Sequence, residues 1–195
     1  MFNIVIFGAP GSGKGTQSGL INKKYNLTHI STGEMLRREI KNETDLGIIA
    51  KKRIDKGQLI PDELICDMLD KVLDNIKYTK GLIFDGFPRT ISQAEALDRI
   101  LKKRGMEVSI LLDLQVGDDE LIGRLLERGK DSGRSDDNEE TIKARLKVYH
   151  TQTAPLTEFY KNKGKYEAIK GHGGVEDISN RVQLTIEKLI AEKYG

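Results

Sequence analysis

Gly8-Ala9-Pro10-Gly11-Ser12-Gly13-Lys14-Gly15-Thr16 constrains this chain more than any other stretch. It follows the apolar run Phe2–Phe7 and opens a helical stretch, Lys14–Tyr25. Glycines at such a junction let the backbone turn tightly, so that successive N–H groups point inward at anionic oxygens. The helix N-terminus adds its partial positive charge, and Lys14 adds a full one. Strand, loop, lysine and helix in this order predict a phosphate-binding loop in an α/β fold. The position after the lysine, where Ser or Thr commonly offers Mg²⁺ a hydroxyl, is Gly15, and Thr16 comes one later. That departure weakens a GTPase or motor-ATPase reading. So does the guanine motif Asn-Lys-x-Asp, whose nearest approach, Asn22-Lys23-Lys24-Tyr25, lacks the Asp.

Short apolar runs alternate with longer amphipathic stretches. Phe2–Phe7, Gly81–Phe84 and Val108–Leu114 are nearly all apolar, as strands buried on both faces of a parallel sheet must be. Thr28–Ser31 and Tyr166–Ile169 are weaker strand candidates. Helices are expected at Lys14–Tyr25, Ile91–Arg104, Asp118–Arg128, from about Asp137 to Lys163, and at Val175–Tyr194. The alternation predicts a central parallel sheet flanked by helices. Pro155 should kink or break the long helix. Two segments fit poorly: Ser31–Ile60 reads as short helices without a strand, and Glu127–Asp137 as a polar loop. Both are candidate appendages on the sheet.

Composition excludes several functions. The 195 residues can bury a core, and 37% hydrophobic with 32% charged residues fits neither a membrane protein nor a low-complexity tail. A net charge of +2 argues against whole-surface binding to nucleic acid or anionic membrane, while allowing a local basic site. One cysteine, Cys66, permits no intrachain disulfide and no Cys-rich zinc site. Its apolar neighbours predict a buried, inert thiol. No apolar run approaches the ~20 residues of a membrane span. The expectation is a cytoplasmic monomer, since no exposed apolar heptad is visible.

A second constellation, Asp85-Gly86-Phe87-Pro88-Arg89-Thr90, follows the run Gly81–Phe84. An acidic residue at the end of a buried strand beside the phosphate loop is placed to hold Mg²⁺ or its water shell, or else to cap a turn. Arg89 is expected at the carboxyl end of the sheet, where α/β folds bind ligands.

Together these residues resemble the adenylate kinase family of nucleoside monophosphate kinases, in its short-lid form. Four motifs occur in order along the whole chain: the loop just described, Ser31-Thr32-Gly33-Glu34-Met35-Leu36-Arg37, Asp85 to Thr90 with Gln93 following, and Ser132 to Thr141 leading to Arg145. The resemblance implies a P-loop NTPase-type, parallel five-stranded sheet with a small NMP-binding appendage (31–60) and a short lid (127–137). The core would be 1–30, 61–126 and 138–195. It implies an ATP site of Gly11, Ser12, Gly13, Lys14, Gly15, Thr16, Arg124, Arg128 and Gly173. It implies an AMP site of Thr32, Arg37, Gln58, Leu59, Ile60, Gly86, Phe87, Pro88, Arg89, Gln93, Arg134 and Arg145. Lys14, Arg89, Arg128, Arg134 and Arg145 would act on the transferred phosphate, with Asp85 holding Mg²⁺ through water. The partners implied are ATP, AMP and ADP. Glu34 stands where the family commonly has Asp, and the long zinc-bearing lid is absent, so no structural metal is expected.

Transfer between two nucleotides gathers negative charge, so the barrier is electrostatic and positional. An ionised phosphate needs no general base to accept a phosphoryl group, which agrees with the lack of His or Cys in the motifs. Of eleven arginines, Arg38, Arg53, Arg99, Arg104 and Arg181 fall outside the motifs and read as solvated surface charges. His29, His150 and His172 share no metal-ligand spacing and read as a strand-end, a helix-face and a loop residue. Asp136 and Asp137 are expected to cap the following helix, and the resemblance implies a second role for them beside the lid arginines. A UMP/CMP kinase is the alternative within the enzyme class. It usually lacks Thr and Gln at the positions of Thr32 and Gln93. A catalytically silent adenine-nucleotide sensor is the alternative outside it.

Overall fold

The computed structural model describes residues 1–194. Five strands, β1 (Ile4–Phe7), β2 (Thr28–Ser31), β3 (Leu82–Asp85), β4 (Ile110–Gln115) and β5 (Tyr166–Lys170), form one sheet in the order β2-β3-β1-β4-β5. Every pairing is parallel, with Ile4 opposite both Ile83 and Ile110. The central strands are apolar but for Asp85, Asp113 and Gln115 toward their carboxyl ends, because alternate side chains enter different cores. Val5, Phe7, Leu82, Phe84 and Leu111 face one side, and Ile4, Ile6, Ile83, Ile110 and Leu112 the other.

Helices α1 (Lys14–Tyr25) and α9 (Val175–Tyr194) cover the second side with Ile21, Ile178, Val182 and Ile186. The first side is covered by α4 (Asp62–Asp74), α5 (Ile91–Lys102) and α8 (Leu156–Lys161), through residues such as Ile65, Leu69, Leu97 and Tyr160. The expected appendage holds α2 (Thr32–Lys41) and α3 (Asp45–Ile54), capped by the Ser31 and Thr44 hydroxyls. A third cluster, Leu121, Leu125, Ile142 and Leu146, joins α6 (Asp118–Ser132) to α7 (Glu139–Val148).

Three expectations need correction. Helix α6 continues to Ser132, so half of the segment expected as a loop is helical. The single long helix after Asp137 is instead α7, a π-helical turn at Tyr149–Thr153, and α8. The break falls just before Pro155, whose ring cannot sit in a helix interior. The cap of α7 is Asn138, which accepts from the Thr141 N–H at 3.0 Å, and not Asp136 or Asp137.

Candidate active site

The sheet topology places the ends of β1 and β3 side by side, with Ile6 opposite Asp85. The loop after β1 and the carboxylate ending β3 therefore meet. A cleft of about 770 Å³ opens there, bordered by the phosphate loop, Asp85 and six arginines: Arg37, Arg89, Arg124, Arg128, Arg134 and Arg145. A smaller cavity of about 190 Å³ adjoins it, and the two share Arg37, Leu59, Gly86, Arg89, Arg134 and Arg145. The result is one basic cleft with two lobes.

The loop needs glycine for two separate reasons. A Cβ on Gly8 would meet Leu114 O and Ser12 Oγ at 2.7 Å each, and Gly13 holds φ 92°, the left-handed conformation that starts α1. Lys14 Nζ donates to the Gly8 and Ala9 carbonyls at 2.8 Å each. Burial lowers its pKa to about 8, Asp85 opposes that shift, and the charges of Arg89, Arg145 and Arg128 add to it. Gly11, Gly13, Gly15, Thr16 and Gly173 line the larger lobe with Lys14. Ser12 does not reach it; the residue is fully buried beneath the loop.

On the other side, Thr32, Gln58, Ile60 and Gln93 line the smaller lobe, and Phe87 and Pro88, joined by a cis peptide, line the larger. Thr32 donates its hydroxyl to Gly86 O at 2.9 Å, tying α2 to the end of β3. Arg89 Nε donates to Gly86 O at 2.8 Å. Burial and the nearby Arg145 charge hold the Arg89 pKa below the usual arginine range. Arg134 is displaced the same way by burial and by Arg37 and Arg128. Cations crowded like this favour an anionic ligand.

Asp137 is the residue the sequence undervalued. Its side chain is wholly buried and accepts from Arg128 Nε and Nη2 at 2.7 Å each and from Arg145 Nη1 at 2.8 Å. Burial pushes its carboxyl up, but the two arginines outweigh that and hold it below the ordinary carboxylate range. Asp136 adds a second carboxylate 2.9 Å from Arg145. Arg124 donates to Gly171 O at 3.0 Å, which fixes the loop leading to Gly173.

His29 is more than a strand-end residue. Its Nε2 lies 3.4 Å from Asp85 Oδ2, on the side of the carboxylate facing β2. Burial raises the Asp85 carboxyl, but His29, Lys14 and Arg89 outweigh it and hold the group ionised below the usual range. Arg104 and Arg181 are not free surface charges. Arg104 bridges Asp70 at 2.7 Å and also pairs with Asp74, while Arg181 donates to the Lys170 and His172 carbonyls at 2.7 and 2.8 Å. Arg38, Arg53 and Arg99 are exposed as expected. Cys66 is half-buried, and burial pushes its thiol up to about 11, consistent with an unreactive group.

A parallel sheet, a glycine-rich loop with its lysine, and arginines converging on a two-lobed cleft define a nucleotide-binding phosphotransferase. Comparison with known proteins is more specific. The adenylate kinase family model matches residues 6–165. An adenylate kinase from Parabacteroides distasonis is 64% identical over 97% of this chain and all of its own length. One from Bacteroides thetaiotaomicron is 61% identical over the same shares, and one from Flavobacterium psychrophilum 49% identical over 97% of the chain. The chain belongs to the adenylate kinase family, and its acceptor is a phosphate group. The UMP/CMP kinase alternative finds no support among these matches.

Proposed function

We propose that this chain moves the terminal phosphoryl group of ATP to AMP, reversibly, giving two ADP and balancing the cell's adenine nucleotides. The observation that carries this reading is the sharing of Arg89, Arg134 and Arg145 by both lobes. A group passing from one nucleotide to the other would stay in contact with the same guanidinium forks throughout. ATP would lie in the larger lobe, its phosphates on the loop from Gly11 to Thr16 and on Lys14 and Arg128, its base near Arg124 and Gly173. AMP would lie in the smaller lobe, its phosphate on Arg37 and Arg89 and its base by Thr32, Gln93 and the Gln58–Ile60 backbone.

Mg²⁺ would arrive with ATP. Among the described residues no group of three or more His, Cys, Asp or Glu could hold a metal. One carboxylate, Asp85, sits where a Cβ on Gly15 would be 3.6 Å from its Oδ2, at the entrance to α1. That donor set fits a cation that keeps most of its water and takes its other ligands from phosphates. Such an ion would neutralise phosphate charge, and Asp85, with His29 Nε2 3.4 Å from its Oδ2, would hold it through water.

Segments 31–60 and 127–137 would act as covers over AMP and ATP, excluding water as a rival acceptor. They already touch: Ser135 Oγ donates to Asp55 Oδ1 at 2.8 Å. The lid needs no zinc in this reading because Asp137 ties its base to α7. No helix of the described residues is long and apolar enough to cross a membrane. We take the working form to be a monomer, because both lobes are lined by one chain.

A coupled assay for ADP, run with ATP alone and with ATP plus AMP, UMP or CMP, tests the reading. Rapid turnover is expected with AMP only. Faster turnover with UMP, or no AMP-dependent product, would overturn it.

A further inference from the structure

Gln93 lines the smaller cavity and is only 2% exposed. Protein groups take both ends of its amide. Oε1 accepts from the Arg89 backbone N–H at 2.7 Å, and Nε2 donates to Asp62 Oδ1 at 2.7 Å. Neither partner is ambiguous: a main-chain N–H only donates and a carboxylate only accepts. The amide therefore has a single orientation. Turned over, it would set NH₂ against N–H and a carbonyl against a carboxylate. Asp62 is held in turn, because its Oδ2 accepts from Thr90 Oγ1 at 2.8 Å. Thr90 caps α5 by accepting the Gln93 N–H at 3.1 Å. Asp62 opens α4, so this small network joins the starts of two helices beneath the cavity.

After those two bonds the Gln93 amide retains one N–H and one carbonyl lone pair for a ligand. We propose that Asp62 is a specificity-determining positioning residue, locking the Gln93 amide in the orientation that pairs with a 6-aminopurine and opposes a 6-oxopurine. The proposal rests on the reading that this cavity takes AMP. Adenine presents an N6–H donor beside the N1 acceptor. Hypoxanthine and guanine present the O6 acceptor beside an N1–H donor, and uracil repeats that order with O4 and N3–H. A freely turning amide serves either order by flipping, whereas a locked one serves a single order. A site built to satisfy one hydrogen-bonding pattern rejects its opposite strongly, because the mismatched groups are left buried and unpaired.

The experiment compares AMP and IMP as acceptors at saturating Mg-ATP in wild type, Asp62→Ala, Gln93→Ala and the double variant. IMP differs from AMP only at the edge in question. Alanine is chosen because an asparagine could turn its own carbonyl to Gln93 Nε2 and keep the lock. In Asp62→Ala the Arg89 N–H alone opposes a turned amide, so the KM for AMP rises and the AMP-to-IMP ratio of kcat/KM falls by about five-fold or more. Its kcat with AMP and its KM for ATP stay near wild type. In the Gln93→Ala background the same substitution leaves the ratio unmoved, because Asp62 acts only through that amide. A wild-type ratio in Asp62→Ala, or an equal fall in both backgrounds, overturns the proposal. Asp62 is half-buried at a helix start, and if Asp62→Ala melts low then Asp62→Leu, which fills the space but cannot accept, serves with the same fall expected. A wild-type enzyme that does not use AMP would sink the acceptor reading instead. Calorimetric binding of AMP and IMP to the same four proteins then judges the lock by itself, with a weakened preference in Asp62→Ala supporting it and full retention refuting it.

Discussion

Asp137→Asn is the sharpest test of how the arginines are held. The change is nearly isosteric, so it tests charge and hydrogen bonding and leaves packing intact. Asp137 accepts three charge-assisted bonds, at 2.7, 2.7 and 2.8 Å, inside the protein. Asparagine keeps one carbonyl acceptor but turns an NH₂ toward a guanidinium, donor against donor. Breaking a buried pair by removing one partner costs about 3–5 kcal/mol. The Arg128 and Arg145 side chains are 33% and 18% exposed, so water recovers part of that loss. About 2–3 kcal/mol remains, or roughly 5–10 °C in the melting temperature of a chain this long. The pH dependence supplies a sign. The folded carboxyl is held below its ordinary value, so its contribution is complete above the unfolded pKa of about 4 and fades as pH falls through the folded value. Melting curves of wild type and variant should therefore stand apart at neutral pH and converge in acid. Turnover should fall by about ten-fold or more, because phosphate-binding groups displaced by ~1 Å lose rate steeply. A variant melting within a degree of wild type, with the gap constant in pH, would refute the view that Asp137 organises Arg128 and Arg145.

Three further outcomes follow from the same structure. Lys14→Met should lower turnover by roughly three orders of magnitude with little change in melting temperature, measured by the coupled assay and circular dichroism, since the loop loses its only full charge. In the wild type, affinity for ATP measured without metal should weaken as pH rises through about 8, where the free Lys14 ammonium deprotonates, and that bend should vanish in Lys14→Met. Ser135→Ala removes the bond to Asp55, so the KM for AMP should rise by about two- to five-fold with kcat unchanged or higher, while an unchanged KM would deny the contact a part in closure.

What sequence reveals here depends on the range of the interaction. The strands were readable because both faces of β1, β3 and β4 are buried, which forces nearly all-apolar runs, with Asp113 the one acidic residue inside them. The start of α1 at Lys14 was readable because Gly13 ends the loop in a conformation other residues rarely adopt. Polarity misleads at α6. Gly129 lies in the polar stretch Glu127–Asp137, which reads as a loop, yet it is helical and its bareness serves packing, since a Cβ there would sit 2.7 Å from Asp137 O. Helix α4 found no place in the sequence reading although Ile65, Leu69 and Leu73 recur every fourth residue along it. The cleft arginines were named through resemblance, and Asp137 only as lying beside them. Asp137 reaches back nine positions to Arg128, and His29 meets Asp85 only through the pairing of β2 with β3. Arg104 finds Asp70 and Asp74 across the gap between α5 and α4. Such pairings belong to the fold and leave no periodic trace in one chain.

The near-balance of 32 basic and 30 acidic residues also acquires a spatial meaning. Many acidic residues pair along exposed helix faces, as Asp55 with Lys51, Glu139 with Lys143 and Glu158 with Lys161 do. Contacts of that kind are worth little and screen readily. Within the cleft the ratio is different: six arginines and Lys14 face the two lobes, against Glu34 and Asp85 on the wall of the larger and Asp136 on that of the smaller. Asp137 lies behind that wall, where it aligns Arg128 and Arg145 while leaving the remaining guanidinium donors free to point inward. Cations held in place beforehand need not reorganise when phosphates enter, and it is this prior orientation, more than the count of charges, that lets a nearly neutral molecule stabilise the concentrated charge of two nucleotides.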